Sequence, residues 1–228
     1  MLVKWGSIIV KGSGKLGGHV FSSGPSGASV HTLAKARNPQ TKYQMEIRSR
    51  FTQLTQGWRD LTESQRESWY DAESDFSRTN RFGDVVLLRG KSLYESLNGE
   101  RLLIDLAIIN RAPLPVAIPK NFVREVEFNL SVKALFIRGD YGSADEYIVV
   151  GTPRLSQGVQ SGKNELRNIG RGTSSSGGGG ITGANVQFDN YVDRFGVPSI
   201  GEKIIIGSYS INVSGQRSPV SFVQAIIG

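Results

Sequence analysis

The chain contains no cysteine, so disulfides, thiolate metal sites and a cysteine nucleophile are all excluded. Stability has to come from packing and hydrogen bonds alone. Histidine is nearly as scarce: His19 and His31 are the only two, and both lie in a glycine-dense stretch with no carboxylate nearby and no H-E-x-x-H spacing, which reads as surface or packing rather than metal ligation. Long apolar runs are missing too. The densest, residues 102–109, is broken by Asp105 and is far shorter than the roughly 20 residues of a membrane-spanning helix. Residues 1–10 are apolar in flavour but split by Lys4, and no cleavage-like segment follows, so a signal peptide is not expected. The sequence predicts a protein made in a cytoplasm, without membrane contact.

Acidic residues are almost absent from the first 60 positions. Nine Lys or Arg stand there (Lys4, Lys11, Lys15, Lys35, Arg37, Lys42, Arg48, Arg50, Arg59) against only Glu46 and Asp60, an excess of seven that equals the net charge of the whole chain. The rest of the sequence is neutral. A basic excess confined to one end predicts a surface facing something negative, nucleic acid or an acidic partner, with Lys35, Arg37, Lys42, Arg48 and Arg50 as the contact face. An ordinary solvated basic face explains the same residues equally well.

A hydrophobic content of 38% over 228 residues is enough to bury one substantial core or two modest ones. The chain begins with a short strand over residues 2–10 and continues into Gly12, Gly14, Gly17, Gly18, Gly24 and Gly27. That glycine density cannot sustain a helix. Residues 1–36 therefore read as an extended arm or loose hairpin, with strand-forming pieces at Val20-Phe21 and 28–33. Such an arm has too little apolar surface to order itself, and it predicts contact with a neighbouring subunit through Gly12, Gly14, Gly17, Gly18 and Phe21.

A helical region is expected over 37–111. Asn38-Pro39-Gln40-Thr41 is a helix-start signal, with Thr41 and Gln44 as a capping box. Ile47, Phe51, Leu54, Trp58 and Leu61 follow at spacings of 4, 3, 4 and 3, one face of a helix. Thr62 and Gln65 repeat the cap, and a second helix to about Phe76 brings Trp69, Ala72 and Phe76 to one side. The short connection predicts a hairpin whose aromatic faces meet. A third helix is expected over 88–97 with Asn98-Gly99 as its stop; residues 102–109 are compatible with helix or buried strand. The prolines of 112–120 predict a linker. Beyond it, 123–138, 146–150, 186–191, 203–213 and 220–227 are β-rich runs separated by turn signals, and they predict a β-sandwich over 121–228. Inside it, 170–183 holds three serines and four consecutive glycines, the composition of a mobile loop. The fold class is α+β.

Local chemistry motifs fail on context. Gly12-x-Gly14-x-x-Gly17 follows a strand, but the glycines after it forbid the helix a dinucleotide site needs, and the first acid is Glu46. Gly14-Lys15 and Gly90-Lys91-Ser92 lack the glycine five positions before that a phosphate-binding loop requires. Asp71, Glu73 and Asp75 imitate the start of a calcium loop, yet Phe76 stands where glycine is needed. No G-x-S-x-G elbow occurs. The sequence predicts no catalytic, cofactor or metal residue, and an enzyme with a non-local site, such as a glycan hydrolase, is the weakest alternative.

Gly14 to Gly18, then Asn38-Pro39-Gln40-Thr41, Gln44, Arg48 and Phe51, and Trp58-x-x-Leu61-Thr62-x-x-Gln65-Arg66-x-x-Trp69 form a pattern that resembles a family of phage and prophage proteins from Bacteroidota, including virion proteins of crAss-like podoviruses. It covers roughly residues 5–110. The C-terminal region is similar in texture to immunoglobulin-like or fibronectin-like modules. The resemblance implies a structural role in a phage particle: a ring protein of the tail or head-tail connector first, a capsid decoration protein next. It assigns no functional residue. Flexible arms, a helical hairpin and a sandwich also suit head-to-tail packing of identical subunits into a ring, in contact with other virion proteins.

Overall fold

The structure, a computed structural model, describes residues 2–3, 12–24, 27–34, 38–80, 82–141, 146–156, 158–159, 162–174 and 179–227. It is α+β, and it divides into two compact units, Met1–Leu93 and Tyr94–Gly228.

The first unit opens with four strands, β1 (Leu2–Val3), β2 (Gly14–Leu16), β3 (His19–Gly24) and β4 (Gly27–Thr32), in one antiparallel sheet of order β1-β4-β3-β2. The expected arm is thus a sheet rather than a loose hairpin. Gly17, at φ +56°, supplies the left-handed backbone of a two-residue turn that sets Leu16 opposite His19. Phe21 lies opposite Gly14 on one side and Val30 on the other, and the Ser22 and Ser29 hydroxyls meet at 2.7 Å.

Two helices follow, α1 (Lys42–Asp60) and α2 (Glu63–Asp71). The expected box at Thr62 and Gln65 forms in both directions, while the one at Thr41 and Gln44 forms by half, the Gln44 side-chain oxygen making no bond in return. Thr41 Oγ1 accepts from Gln44 N at 3.3 Å, and Thr62 N donates to Gln65 Oε1 at 2.9 Å. Arg66 tightens the hairpin by donating to the Arg59 carbonyl at 2.8 Å and the Trp58 carbonyl at 3.4 Å, two of the acceptors that the end of α1 leaves open. The Trp58 and Tyr70 rings meet edge to face at 6.0 Å. Helix α2 ends at Asp71, short of the expected Phe76, which lies in a succession of turns. After a small hairpin of β5 (Arg78–Thr79) and β6 (Val85–Val86) comes α3 (Gly90–Leu103). The Glu73 carboxylate accepts from the Gly90 N–H at 2.6 Å, so an acid sits at the positive end of α3.

The expected stop at Asn98-Gly99 is corrected: α3 continues to Leu103. The chain leaves it at Asp105, which takes the left-handed conformation (φ 57°), while Leu106 N donates to the Arg101 carbonyl at 3.0 Å, as in a Schellman stop. Residues 102–109 are therefore helix end and irregular chain, not a strand.

In the second unit, a hairpin of β7 (Phe122–Asn129) and β8 (Ala134–Asp140) is followed by β9 (Glu146–Gly151), β10 (Arg167–Gly172), the helix α4 (Ala184–Phe195), β11 (Lys203–Ile211) and β12 (Ser221–Ile226). An antiparallel sheet runs in the order β10-β9-β11-β12. Its central strands are buried on both faces. Tyr147, Val149, Ile204 and Ile206 share one core with Val123, Phe128, Leu135 and Ile137 of the β7–β8 hairpin and with Phe188 and Tyr191 of α4. Ile148, Val150, Tyr209 and Ile211 face the other way, onto Leu103, Ile104 and Leu106.

Three expectations change here. Residues 186–191, expected as a strand, lie in α4: Phe188, Tyr191, Val192 and Phe195 recur at helical spacing, and Gly196 at φ 83° closes the helix by donating to the Val192 carbonyl at 2.8 Å. The prolines of 112–120 forbid regular structure, but this stretch is pinned within the second unit. Val116 N donates to Gln216 Oε1 and Gln216 Nε2 donates to the Leu114 carbonyl, both at 2.7 Å. Of the expected mobile loop, 175–178 lie outside the described residues; Ile181 at its end is buried and donates its N–H to the Ile137 carbonyl at 3.0 Å.

Candidate functional site

The surface that draws notice lies on α1. A helix of 19 residues with apolar side chains at 4, 3, 4 and 3 spacing covers one stripe of its circumference. Leu54 (2% exposed), Leu61 and Trp69 of the predicted hairpin core are buried, and Trp58 and Phe76 are half-buried. Ile47 and Phe51 are not: they stand 59% and 55% exposed. The predicted core is corrected to this extent. Periodicity identified the right face, but the first two turns of α1 extend past the side chains that cover its C-terminal half.

Around these exposed side chains lies a shallow, open groove of about 580 Å³ whose described lining, Ile47, Arg48, Phe51, Thr52, Thr55, Gln56 and Arg59, is all on α1. At 3.6 residues per turn, the 11-residue step from Arg48 to Arg59 returns to nearly the same side of the helix. Arg48 is fixed by a 2.7 Å bond from its Nη2 to Asn38 Oδ1, and neither arginine has an ion-pair partner among the described residues. The site is a groove edged by apolar side chains with a cation at each end.

The predicted basic face does not assemble as a unit. Lys35 and Arg37 lie outside the described residues. Lys42, Arg48 and Arg50 are all on α1, but Arg48 projects about 160° around the helix from Arg50 and about 120° from Lys42, given some 100° per residue. Arg59, which the sequence reading left out of that face, is the residue that shares a side with Arg48; the 11-residue spacing was the signal. Of the predicted arm residues, Gly14 and Phe21 lie in the sheet, Gly17 and Gly18 in the turn between β2 and β3, and Gly12 just before β2; no residue of β2, β3 or β4 is fully buried and Leu16 is 72% exposed.

His19 and His31 are exposed on β3 and β4. Among the described residues no group of three or more His, Cys, Asp or Glu is placed to hold a metal ion, and no helix is long and apolar enough to cross a membrane. A perturbed carboxyl lies in the second unit. Burial raises the Glu100 carboxyl above its ordinary value, opposed by the charge of Arg217 at 3.2 Å and a bond from Tyr209 Oη at 3.2 Å. That cluster joins the last turns of α3 to β11 and the chain before β12.

Comparison with protein families, with characterised proteins and with solved structures finds no match to this chain.

Proposed function

We propose that the chain is a self-associating structural component of a phage particle, a ring or connector protein of the tail or head-tail junction, with no catalytic role. The observation that carries this reading is the sheet β1-β4-β3-β2. No residue of β2, β3 or β4 is fully buried, Val20, Phe21, Ala28 and Val30 being half-buried, and on this reading a sheet without a fully buried core of its own takes its cover from another surface. A neighbouring copy supplies that surface in a cyclic oligomer, with the arm, residues 12–28, as the tie between subunits. Capsid decoration is the alternative position, and the other partners are virion proteins. The immunoglobulin-like sandwich belongs to the same reading: the second unit holds two antiparallel β layers, β7–β8 and the four-stranded sheet, with α4 added.

Deleting residues 1–36 tests the reading. The truncated chain is expected to lose its oligomeric mass while the second unit keeps its fold. An unchanged oligomer removes the arm from the account. A second reading, contact with nucleic acid through Lys35, Arg37, Lys42, Arg48 and Arg50, draws on the basic excess of the first 60 residues. Filter binding against ionic strength decides it, because phosphate contacts give a steep loss of affinity with salt.

A further inference from the structure

The helical hairpin carries two charged stripes of opposite sign. On α2, Glu63, Glu67 and Asp71 recur every four residues, which places them along one side of the helix. All three are exposed, and none has an ion-pair partner among the described residues. Tyr70, 51% exposed, borders the same stripe. On α1, Arg48 and Arg59 flank the groove and its exposed Ile47 and Phe51. No ion pair joins the two stripes within one copy. The second unit behaves otherwise: Arg124, Arg138, Arg154, Arg171 and Arg217 each lie within 3.6 Å of a carboxylate.

We propose that the Arg48 and Arg59 face of α1 docks the Glu63, Glu67 and Asp71 face of α2 in a second copy of this chain. The inference rests on the self-association reading and names the surface that carries it. The dimensions agree. At 1.5 Å per residue, Arg48 to Arg59 spans about 16 Å and Glu63 to Asp71 about 12 Å, so the acidic stripe fits within the basic one. The apolar flank agrees as well, since Ile47 and Phe51 gain the exposed ring of Tyr70 as cover. Nucleic acid fits less well, because phosphates leave both apolar side chains uncovered. The contact joins unlike stripes on different helices; in a head-to-tail arrangement it closes into a ring where the rotation per copy allows, and about a two-fold axis it closes as a dimer. Unlike charges across such a contact also fix its register.

Sedimentation of the full-length chain tests the docking with three proteins: wild type, R48E/R59E, and E63K/E67K/D71K. Each variant alone is expected to associate about tenfold or more weakly than wild type, as reversed charges now repel. An equimolar mixture is expected to recover association, because the reversed α1 of one meets the reversed α2 of the other and the unaltered faces also match. Circular dichroism of each variant establishes that the helices are retained. Wild-type assembly with both variants unaffected, or folded variants that fail to recover on mixing, overturns the docking while leaving self-association standing. A wild type that is monomeric at every concentration overturns both. Retention of a short DNA duplex through Arg48 and Arg59, with self-association untouched in R48E/R59E, gives the face to nucleic acid and overturns the proposal.

Discussion

The amide of Asn98 is fully buried and gives both its groups to one residue: Oδ1 accepts from Ile109 N at 2.8 Å and Nδ2 donates to the Ile109 carbonyl at 3.2 Å. This pair replaces the ladder partners that an irregular segment lacks, and it holds the chain after α3 against the helix it has just left. Asn98→Ala leaves both Ile109 groups without that partner, and a loss of about 1–3 kcal/mol is expected in urea unfolding. Glu100, two positions on, makes stability depend on pH. Its carboxyl is raised by burial above the ordinary 4.5, so the folded chain holds this proton more tightly than the unfolded chain. The associated stability is complete below 4.5 and is lost as pH rises through the folded value. A falling thermal midpoint over that interval is expected, flattened in Glu100→Gln; calorimetry across pH checks it, and a midpoint that rises there contradicts the assignment. Tyr209, raised by burial and by Glu100 beside it, stays protonated and remains the donor of the 3.2 Å bond.

Among the elements, α1 separates what the sequence states from what it leaves open. Leu54→Ala is expected to cost about 2–4 kcal/mol, as a buried leucine lost from a packed site. Phe51→Ser, on the same stripe but exposed, is expected to stay within about 0.5 kcal/mol in dilute solution. Equal losses in the two thermal unfolding curves contradict the exposed assignment. Spacing alone could not make this distinction, because a 4-3-4-3 repeat marks a face without saying how far along it the chain supplies cover. The caps at Thr41 and Thr62 were legible because they depend on residues three positions apart. Helix α4 was not, since Val186 and Phe188 alternate as in a strand and mask the Phe188, Tyr191, Val192, Phe195 repeat. Strand β10 (Arg167–Gly172) has one large apolar side chain, Ile169, and two glycines, so its sequence carries almost no strand signal. The Arg48 and Arg59 pairing was present as a spacing, but it lies on the flank of the apolar repeat and gains meaning only beside a groove.

For the whole molecule, the contrast between the units carries the account. The second unit buries apolar residues on both faces of a sheet and pairs Arg124, Arg138, Arg154, Arg171 and Arg217 with its own carboxylates. The first leaves strands β2 to β4 without a fully buried side chain, an apolar edge on its longest helix, and charged stripes of both signs without ion pairs among the described residues. On the proposed reading such surfaces are completed by association, with a second copy of the chain supplying the complementary face. Sedimentation equilibrium of the intact wild-type chain over a wide concentration range puts this to the most direct test. The account predicts a concentration-dependent species of several times the 24.8 kDa subunit, weakened by salt; a single 24.8 kDa species at every concentration would contradict it.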